Sequence, residues 1–123
     1  MANLIATIAD NPNTLARGLM GVKKLPTNEG MLFKFPMFLE AGFWGKDTYI
    51  PLDIAFIDVN NRITAIKEIT PMSTRSVRSD NGQCVMALET NLGFFKQNDV
   101  DIGHEITIVS KGDKKVEISF KKD

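Results

Sequence analysis

The sequence predicts a mainly β fold: a compact β-sandwich or barrel-like single domain with one or two short helices. Three observations carry that prediction. Short apolar or β-branched runs recur at close spacing, separated by turn residues. The clearest of them, "LDIAFIDVNNRITAIKEI", sets two runs on either side of Asn60-Asn61, residues that tolerate positive φ, and reads as a tight hairpin. The long helical segments that a doubly wound α/β sheet needs between its strands are missing.

A chain of 123 residues is one domain on size alone and can bury a core without staples. Formal net charge is zero, so no global field draws the protein to nucleic acid or anionic lipid. One cysteine, Cys84, excludes an intrachain disulfide and suits a reducing compartment. "MANLIATIADNPN" has neither a basic n-region nor a long apolar h-region and does not read as a signal peptide. No apolar run reaches membrane-spanning length. A cytoplasmic location is expected, or a virion if the chain is phage-encoded.

Along the chain, "NLIATIAD" is a strand that stops at "DNPN". Asn11 and Pro12 read as an N-cap and a first-turn proline, opening a two-turn helix over "NPNTLARGLMG" with Leu15, Leu19 and Met20 as its apolar stripe and Gly21 as its stop. Gly30 breaks the chain before a strand from Met31 to Phe35, which Pro36 ends. "PMFLEAGF" is then a loop with three apolar residues, Met37, Phe38 and Leu39. Phe43 to Tyr49 is extended, Pro51 kinks it, and the Asn60-Asn61 hairpin follows. A polar connection turns at Asp80-Asn81-Gly82 and leads into the strand "CVMALE". A short helix capped by Thr90 is expected within "TNLGFFKQNDVDIG". "HEITIVS", "KGD" and "KKVEISF" close the chain as a hairpin, with Glu105, Thr107 and Val109 alternating with Ile106 and Ile108.

The strongest chemical candidate is the polar cluster in "FWGKDTYIPLDIAFID". On an extended segment, Trp44, Lys46 and Thr48 share one face, and Asp47 shares the other with Phe43, Gly45 and Tyr49. Trp44 and Lys46 then form a flat platform with a cation beside it, suited to a polar ligand or a carbohydrate-like ring. The competing reading is structural. Asp53, just after Pro51, can accept backbone N–H bonds and fix a corner, and Trp44 can be core packing. Asp47 and Asp53 as an acid–base pair require a cleft and perturbed pKa values, which a sequence does not display. Arg17 on the first helix can pair with Glu29 or Asp10, or capture an anionic ligand group.

No catalytic residue, metal site or cofactor is assigned. Asp58 to Glu68 resembles a calcium loop only superficially, because Arg62 falls where an oxygen ligand belongs. His104 has no second histidine to share a metal, and Cys84 reads as a small core residue. Arg75, Arg78 and the lysines of the C-terminal tail form a solvated face. There is no phosphate-binding glycine motif and no nucleophile elbow.

Taken together, "IADNPNTLARGLMG", "LPTNEGMLFKF", "FWGKDTYIPLDIAFID", "RITAI" and "VMALETNLGFFKQNDVDIGHEITI" resemble, in order and spacing, the domain of unknown function 192 family. The resemblance covers residues 4 to 109 and leaves 110 to 123 as a C-terminal strand extension. It implies a compact β-rich sandwich or barrel with short helices, and no reaction. The family usually carries Met-Lys-Asn-Thr after the tryptophan, where this chain has Gly45-Lys46-Asp47-Thr48.

Two functions follow as expectations. One is a non-enzymatic accessory or binding domain acting through protein–protein contacts or self-assembly, with Met37, Phe38 and Leu39 as the contact. The family's phage members suggest a virion-associated form of it. The alternative is a small polar-ligand-binding protein or enzyme with a pocket around Trp44, Lys46 and Asp47, extended by Thr48 and Arg17.

Overall fold

The computed structural model describes residues 3–39, 42–79 and 84–122, with the backbone alone described for 36–39. Nine strands and two short helices are found among them: β1 (Asn3–Ala9), α1 (Pro12–Arg17), β2 (Glu29–Leu39), β3 (Gly42–Phe43), β4 (Leu52–Ile57), β5 (Ile63–Ile69), β6 (Val77–Arg78), β7 (Cys84–Asn91), α2 (Phe94–Gln97), β8 (Glu105–Gly112) and β9 (Lys115–Lys121). Seven strands form one sheet in the order β5-β4-β7-β2-β1-β9-β8, and β3 pairs with β6 as a separate ribbon.

The protein is mainly β, as expected, but its sheet is open. The edge strands β5 and β8 approach only at one corner, where Arg62 and Glu105 form an isolated bridge and the Ile63 and Ile106 N–H groups donate to the His104 and Asn61 carbonyls. The sheet therefore curls without closing into a barrel.

Local chemistry accounts for most connections. The β4–β5 hairpin turns as expected. Asn61 takes φ 61°, and the Asp58 carboxylate accepts from the N–H groups of Asn60 and Arg62 at 2.8 and 3.0 Å, an Asx-type brace. The β8–β9 hairpin also forms. β9 is no appendage, because it pairs along its length with β1.

β1 and β2 run parallel, so the chain between them must cross a sheet face. α1 begins that crossover. Asn11 caps it by accepting from the Thr14 N–H at 2.9 Å, while the Thr14 hydroxyl accepts from the Asn11 N–H at 3.2 Å. The helix ends at Gly18 (φ 51°), earlier than the expected Gly21.

Other expectations are corrected. Gly30 lies inside β2, not before it; a Cβ there would sit 2.4 Å from the Glu89 carbonyl oxygen, so glycine permits the close β2–β7 approach. Pro36 does not end β2, which continues to Leu39 across a register irregularity after Lys34, a place where a strand tolerates proline. Met37, Phe38 and Leu39 thus have strand backbone where a loop was expected, and their side chains lie outside the described residues, as does the Asp80-Asn81-Gly82 turn. Thr90 belongs to β7 and caps nothing. Gly93 precedes α2 without a side-chain cap.

Each face of the sheet carries its own core. One contains Leu4, Leu32, Leu88, Ile106 and Ile118 with Phe94 and Phe95 of α2. Phe94, Phe95 and Phe120 pack ring against ring with centroids 5.5–6.1 Å apart. The other face contains Phe33, Leu52, Ile54, Phe56 and Ala87, and receives the crossover through Leu15, Leu19, Val22 and Leu25 and the ribbon through Phe43 and Val77.

Candidate functional site

On the second face, the crossover and the ribbon leave a cleft of about 980 Å³ between them. Residues Pro12 to Met20 form one wall. Gly42, Phe43, Trp44 and Thr48 form the other, and Phe33, Phe35 and Glu89 complete it from the sheet. Phe43 anchors its wall: its ring meets Phe33 edge-on at 5.1 Å and lies 5.9–6.0 Å from Phe35 and Phe56.

Glu89 is the residue that sequence reasoning missed. It stands on β7 opposite Met31 of β2 and Ile54 of β4, so both strand neighbours on its face are apolar. Only 4% of it is exposed. Among the described residues no hydrogen bond or ion pair to its carboxyl is found, and no fully enclosed side-chain polar atom is left without a partner, so its oxygens open onto the cleft. Burial pushes its pKa from 4.5 up to about 8, so at neutral pH the group is mostly protonated. A protonated carboxyl can both donate and accept; ionised, it only accepts. The available signal was the alternation in "VMALET". It places Glu89 on the same face as Ala87 in a strand flanked by apolar neighbours, but strand alternation does not say that distant segments cover that face.

The polar cluster of residues 44–48 is arranged differently from expectation. Of Phe43 to Tyr49 only Phe43 is in a strand, the end of β3. The Thr48 N–H donates to the Gly45 carbonyl at 3.0 Å, which makes Gly45–Thr48 a turn, and Asp47 takes φ 56° within it, a conformation Asn and Asp tolerate better than most residues. Alternating faces do not apply to a turn. Trp44 and Thr48 line the cleft, whereas Lys46 and Asp47 do not. Lys46 still meets Trp44, its ammonium 5.4 Å from the ring centroid. Trp44 is 44% exposed and so is not core packing. Thr48 is buried, its hydroxyl donating to the Lys46 carbonyl at 3.3 Å.

Gly45 fixes the height of this turn. A Cβ on it would lie 1.9 Å from the Thr70 carbonyl oxygen, and its N–H donates to the Ser73 carbonyl at 2.9 Å. The Gly21 N–H donates to the Asp47 carbonyl at 2.9 Å, tying the turn to the crossover. Both walls of the cleft are thereby joined by backbone.

Arg17 lines the crossover wall near the surface and makes no ion pair among the described residues. The expected pairing with Asp10 is not made, because Asp10 is held by Lys114 at 2.6 Å. Asp53 faces away from this cleft. Its carboxylate accepts from the Gly93 N–H at 2.9 Å, so it holds the start of α2 and not the corner at Pro51, whose carbonyl accepts from Leu92. Asp47 and Asp53 therefore do not share a site.

A second hollow, about 1130 Å³, lies beside Asp53, Glu68, Asp101 and His104. His104 is tied at Nδ1 to Asp101. No grouping of His, Cys, Asp and Glu fit for a metal occurs among the described residues. The Cys84 thiol is buried and donates to the Met86 carbonyl. No helix among the described residues is long and apolar enough to cross a membrane.

Fold and cleft together define a mainly β domain with an aromatic-walled hollow over one buried carboxyl. The particular family is equally plain: residues 2–108 match the model of domain of unknown function 192, described as an uncharacterized ACR, and the chain belongs to that family. β9 lies beyond the matched residues. No curated protein matches the chain. Two crystal structures illustrate what it is similar to. One is of a Sinorhizobium meliloti 1021 protein named as a candidate transcription regulator (32% identity, TM-score 0.78, covering 81% of this chain and 78% of that one). The other is of a Novosphingobium aromaticivorans DSM 12444 protein of unknown function (28% identity, TM-score 0.76, covering 80% and 70%).

Proposed function

We propose that the protein is a small-molecule-binding domain whose ligand enters the cleft between the α1 crossover and the Trp44 turn. One observation carries this reading: Glu89 is largely buried in apolar surroundings, its carboxyl opens onto the cleft, and no group among the described residues pairs with it. A carboxyl placed there costs stability and contributes no contact to the fold, a pattern found where polar groups serve a site. The aromatic walls and a single convergent polar group are the usual make-up of a ligand pocket.

A library of small organic molecules, screened by thermal shift on the whole chain, tests it. A ligand that binds only the folded state raises the melting temperature. The expected result is a set of hits whose shift is lost in Trp44→Ala and whose binding moves the Trp44 indole and Thr48 amide resonances. Hits that leave those resonances in place, or no hits at all, contradict the proposal.

A further inference from the structure

We propose that the cleft takes an organic ammonium, its N–H groups donating to the Glu89 carboxylate and its apolar body lying against Phe33, Phe35, Phe43 and Trp44. This rests on the small-molecule reading above and names the ligand's chemistry.

The argument is one of complementarity. Among the described residues, the cleft contains two charged or titratable side chains, Glu89 and Arg17. Arg17 comes from the crossover wall and is exposed. The strands flanking Glu89 present Met31 and Ile54, and the ribbon wall presents Phe43, Trp44 and Thr48, none of which carries charge. Among the described residues, the deep end of the cleft therefore has an acceptor and no cation. A cation arriving there offsets the cost of ionising the carboxyl, whereas a ligand anion adds a second buried negative charge. The aromatic walls favour the same sign, since ring faces attract cations. A neutral hydroxyl gains one ordinary hydrogen bond, and an ammonium gains charge-assisted ones. Lys46 over the Trp44 ring is the protein's own instance of that pairing at the mouth. Arg17 near the surface sets a direction: the ammonium goes in first, and any anionic group on the ligand stays outward.

Binding couples to a proton. The free carboxyl holds one up to about pH 8, and an ammonium requires its loss. Below that midpoint each binding event releases a proton, and affinity rises roughly tenfold per pH unit as pH increases toward it.

The test uses the whole chain and three matched probes: 2-phenylethylamine, 2-phenylethanol and phenylacetate. Titration calorimetry in buffers of different ionisation heat is run at pH 6, 7 and 8. At pH 8 the amine is expected to bind at least about tenfold more tightly than the alcohol, with proton release at pH 7. Glu89→Gln, a neutral isostere, is expected to bring the amine's affinity down to that of the alcohol in the same variant and to abolish proton release at pH 7. Three results overturn the inference: alcohol or phenylacetate binding as tightly as the amine, amine binding without proton release at pH 7, or an amine preference that survives Glu89→Gln. If the alcohol binds at the Trp44 and Thr48 resonances and the amine does not, the ammonium inference fails and the small-molecule reading stands. If no probe moves those resonances, the ammonium inference fails, and the library screen decides the broader reading separately.

Discussion

Two buried carboxyls stand back to back on neighbouring strands. Asp53 of β4 lies opposite Thr90, and Glu89 of β7 lies opposite Ile54, so the two side chains point to opposite faces of the same sheet. They are almost equally covered, at 7% and 4% exposure, but Glu89 lies far deeper in the domain than Asp53. Burial raises the pKa of both, but the Gly93 and Phe95 N–H groups pull Asp53 back down, against a further rise from Glu68. Glu89 has no such relief. Asp53 is used by the fold, since it holds the start of α2. Glu89 holds no element of the fold among the described residues, and in the proposal it is the group the ligand meets. Exposure alone does not separate the two here; depth beneath the surface and backbone hydrogen bonding do.

The largest expected loss of stability tests the cleft's wall. Gly45→Ala drives a methyl group into the Thr70 carbonyl and is expected to cost about 3 kcal/mol or more, measured by urea unfolding. A near-neutral change would mean that the turn is free to lift, and the cleft's shape would no longer be fixed by backbone.

An effect of comparable size acts on Glu89 and has the opposite sign. Between pH 4.5 and about 8 the unfolded chain releases the Glu89 proton while the folded chain keeps it. Stability is therefore complete below pH 4.5 and is lost as pH rises toward 8. Glu89→Gln removes that share of the slope and is expected to stabilise the protein at pH 8 by on the order of 4 kcal/mol. Unfolding curves at pH 5 and pH 8 measure both. Destabilisation at pH 8 would show that the carboxyl has a partner in the fold.

Asp53→Ala completes the comparison. It leaves the Gly93 N–H without its acceptor, at a cost of about 1–2 kcal/mol, and is expected to leave cleft binding unchanged. Equal losses of probe binding from Asp53→Ala and Glu89→Gln would collapse the distinction between the two residues. The smallest effect belongs to Lys46→Ala, which removes one exposed cation–π contact and changes stability by about 0.5 kcal/mol.

The parts legible in the sequence are those set by near neighbours. The Asn60-Asn61 hairpin, the Asn11 cap, the closing hairpin and the mainly β class all rest on contacts within a few residues. The cleft does not. Residues 43–49 look extended by alternation, but they turn because the Ser73 and Thr48 carbonyls and the Gly45 and Met72 N–H groups pair across the loop. Gly45 has a reason that only the fold displays, its close approach to the Thr70 carbonyl. Glu89 reads as an ordinary strand-end carboxylate until the crossover and the ribbon, drawn from distant parts of the chain, cover it. Arg17, Trp44 and Thr48 were legible as candidates. That they meet around Glu89 was not, since the meeting depends on which face the parallel β1–β2 crossover takes.

The most direct measurement is the titration of the Glu89 side-chain carboxyl by ¹³C NMR in the ligand-free protein. A midpoint near 8 is expected, well above that of solvent-exposed glutamates. A midpoint near 4.5, the ordinary value, would show that the carboxyl is answered within the fold and would remove the basis for the cleft as a binding site.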